Sequence, residues 1–107
     1  MVNPFHGEVL LIVDGRTHVL RLTLGALVEL EDSLQSDSLL ALVERFESGG
    51  FSARDIVALL AAGLKGGGWQ GEPVDLLNSE IAGGPVGAAK VAAQLLARSF
   101  SVTDQAT

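Results

Sequence analysis

The hydrophobic pattern of this sequence changes its period within residues 22–34, and that change constrains the fold more than any other feature. Upstream of this stretch the aliphatic residues alternate as they do in strands. Within it, Leu27, Leu30 and Leu34 recur at helical spacing. Thr23 is the predicted N-cap, because its hydroxyl can accept a hydrogen bond from an N–H of the first helical turn. The pattern predicts an α+β fold, mainly helical, in which an N-terminal β-hairpin is followed by four or five short α-helices.

The predicted hairpin occupies residues 7–23. Two aliphatic and β-branched runs, residues 7–13 and 16–23, flank the dipeptide Asp14-Gly15. Asp-Gly between such runs is typical of a two-residue type I′ turn, in which both central residues need a positive φ. Since a lone hairpin is marginally stable in water, we expect helices to cover one face of it and a partner to cover the other.

The turn also predicts the register of the two strands. If Val13 faces Arg16 across the turn, then Glu8 falls opposite Arg21. Opposite charges at directly facing positions stabilise an antiparallel pair. This charge pair therefore supports the predicted hairpin.

Capping residues mark the helix boundaries that follow. Ser36 or Asp37 can cap a second helix, which ends at the glycines of residues 49–50. Ser52 and Asp55 resemble a capping box in which Asp takes the usual position of Glu. A third helix is therefore expected to begin directly after Ser52.

The C-terminal part predicts a short fourth helix and a longer fifth one. The glycine-rich residues 65–71 are expected to form a flexible break, and Glu72-Pro73 can open the fourth helix because proline suits the first helical turn. The last helix, residues 86–100, is apolar almost all round, so it is either central to the core or covered by a partner. Its polar side chains form one narrow line: Lys90, Gln94 and Arg98.

Chain length sets the expected domain organisation. A chain of 107 residues can bury one modest core. We therefore expect a single domain, residues 1–107, with the hairpin at 7–23, a helical part at 24–100 and a frayed tail at 101–107.

Two further positions suggest specific roles. Gly25, in the first turn of the first helix, costs about 1 kcal/mol relative to alanine, so we expect the hairpin backbone to approach it closely. Trp69, the only tryptophan, either docks on the core or is an exposed anchor for a partner. The residues expected to bind a partner are Trp69, Val91, Leu95 and Phe100.

The charge balance argues against two classes of ligand. Thirteen acidic residues outnumber seven basic ones, which gives a net charge of −6. A nucleic-acid-binding protein would need a basic stripe that releases counterions from phosphates. Attraction to an anionic membrane is disfavoured for the same reason. We therefore expect neither nucleic acid nor a membrane among the partners.

No combination of residues predicts catalysis or metal binding. The chain has no cysteine, which excludes disulfides and thiolate zinc sites. Its histidines, His6 and His18, do not have a ligand spacing such as His-x-x-x-His. The carboxylates lie on the predicted outer faces of amphipathic helices, away from any pocket that would perturb their pKa. No enzyme activity, cofactor or metal is expected.

The N-terminal residues do not resemble a secretion signal, because they lack a basic segment followed by a long apolar one. The longest apolar run, residues 9–13, is far shorter than a membrane span. The protein is therefore expected to be soluble and cytoplasmic.

Motifs distributed over about residues 5–68 resemble the small protein encoded among the tail genes of gene transfer agents and related siphovirus-like prophages. The most specific of them is a leucine-rich string that begins at Leu22. The motifs are Gly7-Glu8-Val9, Asp14-Gly15, Leu22-Thr-Leu-Gly-Ala-Leu-Val-Glu-Leu-Glu31, Arg45, Phe51-Ser52, Asp55-Ile56 and Ala62-Gly63-Leu64.

The resemblance implies a phage tail assembly chaperone, which coats the long, helical tape-measure protein and keeps it soluble while tube subunits polymerise around it. The implied partners are the tape-measure protein and tail tube subunits, and association between copies of the chain is left open. The alternative is a structural tail tube or tail completion subunit that stays in the particle, because the family is also described as a tail tube family. A small adaptor that binds a protein helix would fit the same residues. The resemblance assigns no catalytic or ligand-binding residue.

Overall fold

The computed structural model describes residues 8–34 and 38–101, with the side chains of Phe100 and Ser101 left out. In this part of the chain an antiparallel hairpin precedes five helices, which confirms the predicted α+β, mainly helical fold. The strands are β1, Val9–Val13, and β2, Arg16–Leu20. The helices are α1, Leu24–Leu34; α2, Leu39–Ser48; α3, Ala53–Gly66; α4, Pro73–Leu77; and α5, Gly84–Ser101.

The hairpin has the predicted turn and register. Asp14 and Gly15 adopt positive φ values of 51° and 79°, as a type I′ turn requires. Val13 pairs with Arg16 across the turn. The pairing places Glu8 opposite Arg21, and their charged groups are 3.9 Å apart.

The two faces of the hairpin have different surroundings. On β1 the residues Val9, Leu11 and Val13 point into the core and are buried. Leu10 and Ile12 point outward and remain 45% and 42% exposed. The helices therefore cover one face of the ribbon, as expected, and the described part of the chain leaves its outer face open.

Helix α3 is the centre of the fold, because it packs against α1, α4, α5 and strand β2. The core around it is built mainly from leucine. Its largest fully buried side chains are Leu11, Leu20, Leu30, Leu42, Leu59, Leu60, Leu64 and Leu95.

The end of α3 approaches the hairpin backbone closely. A Cβ at Gly66 would overlap the carbonyl oxygen of Arg21, and the Arg21 N–H donates to the carbonyl of Gly63 at 2.9 Å. The expectation for Gly25 was wrong, since a Cβ there would meet only Thr23 Oγ1, at 3.9 Å. The predicted break at residues 65–71 is also shorter than expected, because α3 runs through Gly66 and packs there on β2.

The first two helices are capped by hydroxyl side chains. Thr23 accepts a hydrogen bond from the N–H of Ala26 at 3.1 Å, which confirms it as the N-cap of α1. Helix α2 is capped by Ser38, whose hydroxyl accepts from the N–H of Ala41 at 3.1 Å. The cap predicted at residues 36–37 lies outside the described residues, and it was misplaced because α2 begins at Leu39.

Helix α5 begins earlier than predicted, and one of its predicted solvent-facing side chains instead contacts the hairpin. Its bounds are Gly84–Ser101, and its inner face is buried in the core. Arg98, predicted on a solvent-facing line, donates from Nη1 to the carbonyl of Glu8 at 2.8 Å. This hydrogen bond ties the last turns of α5 to the start of the hairpin. None of the helices in the described ranges is both long and apolar enough to cross a membrane.

Candidate partner-binding groove

The junction between α2 and α3 is held by an ion pair and a capping box. Ser52 Oγ accepts from the N–H of Asp55 at 3.1 Å, and Asp55 Oδ2 accepts from the N–H of Ser52 at 2.9 Å. Arg45 donates to both carboxylate oxygens of Asp55, at 2.8 and 2.9 Å. Asp55 is only 6% exposed, so this bidentate pair is largely removed from water.

The pKa of the Asp55 carboxyl reflects this environment. Burial raises the pKa, but the hydrogen bonds from Arg45 and Ser52 and the charge of Arg45 lower it further than burial raises it. The net pKa is below the ordinary value of an aspartate, so Asp55 is ionised at neutral pH.

The ion pair positions two aromatic rings beside it in sequence. Phe46 follows Arg45 on α2, and Phe51 precedes Ser52 at the start of α3. Their rings stack with centroids 4.6 Å apart and an angle of 9° between the planes. The stack forms one end of an apolar surface depression.

This depression, which we call the α2–α5 groove, runs between the α2–α3 junction and the first half of α5. It consists of two adjoining hollows of about 550 and 160 Å³ that share Ile56 and Pro85. The larger hollow is lined by Phe46, Phe51, Ile56, Pro85, Val86, Ala89, Lys90 and Ala93. The smaller is lined by Ala53, Ile56, Val57, Leu60, Leu76, Ile81, Pro85 and Ala88.

Small side chains of α5 form one wall of the groove. Pro85, Ala89 and Ala93 follow one another at intervals of four residues, so they lie in a line along the helix. Val86, at the rim, is 67% exposed. The distance between two packed helix axes is about 8–10 Å and depends on the side chains at the contact, so small side chains allow a closer approach. The groove therefore has the shape and polarity of a site for an apolar helix face.

The side chains predicted to bind a partner lie elsewhere. Trp69 is partly buried and packs against the core, and its ring lies against Gly71. Val91 is also partly buried against the core, while Leu95 is fully buried beside Gly63. The side chain of Phe100 is outside the described set. None of the three described side chains lines the α2–α5 groove.

The groove residues were missed because the sequence does not show which face of α5 points outward. The sequence predicted that α5 is apolar almost all round and is therefore either central to the core or covered by a partner. In the structure Ala92 and Leu95 face the core, and Ala89 and Ala93 line the groove.

His18 and eleven of the thirteen acidic side chains lie in the described ranges, residues 8–34 and 38–101. Within them no cluster of three or more His, Asp or Glu side chains is arranged to hold a metal ion. Asp55, whose pKa is lowered, is fully engaged by Arg45 and Ser52. The oxygens of this carboxylate therefore accept hydrogen bonds that hold α2 and α3 together.

A comparison with protein families gives one match. The family described as "Phage tail tube protein, GTA-gp10" matches residues 6–102, which is almost the whole chain. No curated protein and no solved structure matches the chain.

Proposed function

The chain belongs to the phage tail tube protein family GTA-gp10, a family of gene transfer agents and phage tails, and we propose that it is a tail assembly chaperone that binds the tape-measure protein. The proposed binding site is the α2–α5 groove. Membership of the family supports a role in a phage-like tail. The chaperone activity and the binding of the tape-measure protein are our proposal.

The observation that carries the proposal is the apolar, open groove. A tape-measure protein is long and helical, and before the tube forms around it its apolar stripes are exposed to water. Such a stripe presents side chains at i, i+4 and i+7, which is the pattern that a helix-binding groove accepts. The line from Pro85 to Ala93 is about 12 Å long at 1.5 Å per residue, so it covers about two turns of a bound helix.

A contact of two helical turns suits a chaperone that must later be released. It buries little area, so each copy binds weakly. A long tape-measure helix can present many such stripes, and several copies can then cover it together. Growth of the tube can displace the copies one at a time, because each is held by a small contact.

Co-expression tests this proposal. The tape-measure protein encoded in the same tail gene cluster is produced with and without the chain, and its soluble fraction is measured. We expect the wild-type chain to raise the soluble fraction, and a chain with Ala93→Glu in the groove to lose most of that effect. Unchanged solubility in the presence of the wild-type chain would count against the chaperone role.

A structural tail tube or tail completion subunit is the second candidate. The family description names a tube protein, and the outer face of the hairpin, with Leu10 and Ile12, is open to a neighbour. Against it, the described hairpin has only two strands of five residues, whereas a tube needs strands that close a ring. Mass spectrometry of purified particles separates the two, because a structural subunit is present in stoichiometric amounts and an assembly chaperone is not.

The proposal is one of binding without catalysis or a cofactor. We place it in the cytoplasm of the producing cell, where the tape-measure protein and the tube subunits are synthesised. The net charge of −6 also disfavours non-specific binding of the chain to nucleic acid in the same compartment.

A further inference from the structure

The outer side of α1 carries an exposed surface that the proposed function does not use. Leu24 and Val28 are 82% and 59% exposed and lie one turn apart, and Asp32 continues the same line. Glu31 is exposed beside this line. We call these four residues the α1 ridge.

The ridge and the groove have complementary chemistry. The ridge is apolar in its first half and acidic in its second, and Glu31 and Asp32 make no ion pair within the described residues. The neighbouring Glu29 is already engaged by Lys65 at 3.4 Å. The one charged side chain among the described residues that line the groove is Lys90, which is likewise unpaired there.

The dimensions of the two surfaces also agree. Helix α1 has 11 residues and is therefore about 16 Å long, while the groove line along α5 is about 12 Å. Two apolar side chains one turn apart on the ridge can contact the groove floor, and the acidic end can then lie near Lys90.

A chain cannot fill its own groove with its own ridge. Helices α1 and α5 pack separately on α3, and the ridge lies on the side of α1 opposite its buried residues Ala26 and Leu30. Any α1 ridge in the groove must therefore belong to another molecule.

We propose that the α2–α5 groove of one copy binds the α1 ridge of a second copy. The contact joins two different surfaces, so every open assembly keeps one free ridge at one end and one free groove at the other, and association continues into open chains or closes into a ring. A helix of another protein that enters the groove competes with the ridge of the neighbouring copy. The proposal concerns the chain alone and does not depend on the identity of the tail partner.

Sedimentation velocity of the full-length chain tests this contact. We expect the weight-average sedimentation coefficient of the wild type to rise continuously with concentration. Lys90→Glu and Asp32→Lys each reverse one charge at the contact and should each leave the chain mainly monomeric. Glu44→Lys, which changes the charge on the outer side of α2 by the same amount as Asp32→Lys, should associate as the wild type does.

An equimolar mixture of the Lys90→Glu and Asp32→Lys chains is the decisive sample. The reversed groove of one variant matches the reversed ridge of the other, and their two unaltered surfaces also match, so the mixture should regain association. Circular dichroism of each variant confirms that the exposed substitutions leave the fold intact.

Three results would overturn the proposal. These are a wild type that stays monomeric at all concentrations, single variants that associate as the wild type does, and a mixture that stays monomeric. If association were abolished only by substitutions at Leu10 or Ile12, the contact would instead lie on the outer face of the hairpin. A monomeric wild type that still binds tape-measure peptides would overturn this proposal and leave the proposed function standing.

Discussion

Arg45 donates two hydrogen bonds to Asp55 and thereby joins the end of α2 to the start of α3. The two residues flank the stacked rings of Phe46 and Phe51, so the ion pair also fixes one end of the α2–α5 groove. A local capping motif, extended by one arginine, thus connects helix formation to the shape of the candidate binding site.

Replacing Arg45 by methionine should destabilise the fold by about 2 kcal/mol, because Asp55 would remain buried without its charged partner. Urea denaturation followed by circular dichroism measures this loss. Arg54→Gln is the matched control, since Arg54 is exposed on the same turn and should change the free energy of unfolding by less than about 0.5 kcal/mol. Equal effects of the two substitutions would show that the ion pair contributes nothing specific.

The lowered pKa of Asp55 predicts how stability depends on acid. A carboxyl whose pKa is lower in the folded state stabilises the fold fully above its ordinary pKa of 3.8, and this contribution disappears as the pH falls through the lowered value. We expect the free energy of unfolding to decrease below about pH 4. The decrease should be smaller in Asp55→Asn, and identical acid dependence in the two proteins would contradict the assignment.

Gly66→Ala should cost about 2 kcal/mol, because the new Cβ would overlap the carbonyl oxygen of Arg21 and force α3 away from β2. Gly25→Ala is the opposite case. Its Cβ enters open space within a helix, so we expect a gain of about 0.5–1 kcal/mol. Thermal or urea denaturation of the two variants checks both signs, and a destabilised Gly25→Ala would restore a packing role for Gly25.

These two glycines show what the sequence could and could not predict. Thr23, Asp14-Gly15 and the Ser52 capping box act within a few residues, so their roles were readable from the sequence and the structure confirms them. The sequence does not distinguish a glycine that is required because another backbone segment lies close to it from a glycine with open space around it. Only the packing of α3 on β2 distinguishes Gly66 from Gly25.

The groove could not be predicted from the sequence either, because it too depends on tertiary packing. Phe46 and Ala93 are far apart in the sequence and meet only because α2, α3 and α5 pack around one core. The apolar character of α5 predicted a helix that is either central to the core or covered by a partner, but the outward direction of Ala89 and Ala93 depends on tertiary contacts. Of the residues that the sequence predicted to bind a partner, the structure places Leu95 in the core.

The proposed chaperone role requires that the α2–α5 groove binds a tape-measure helix. The most direct test titrates overlapping helical peptides of the tape-measure protein from the same tail gene cluster into the chain and compares Ala93→Glu with Gln94→Glu. Both substitutions add one carboxylate within a turn of Lys90, but only residue 93 lines the groove. We predict that at least one peptide binds the wild type and Gln94→Glu equally and binds Ala93→Glu at least about tenfold more weakly, because the new charge would be buried against apolar groups. Equal binding to both variants, or no binding of any peptide to the wild type, would contradict the account.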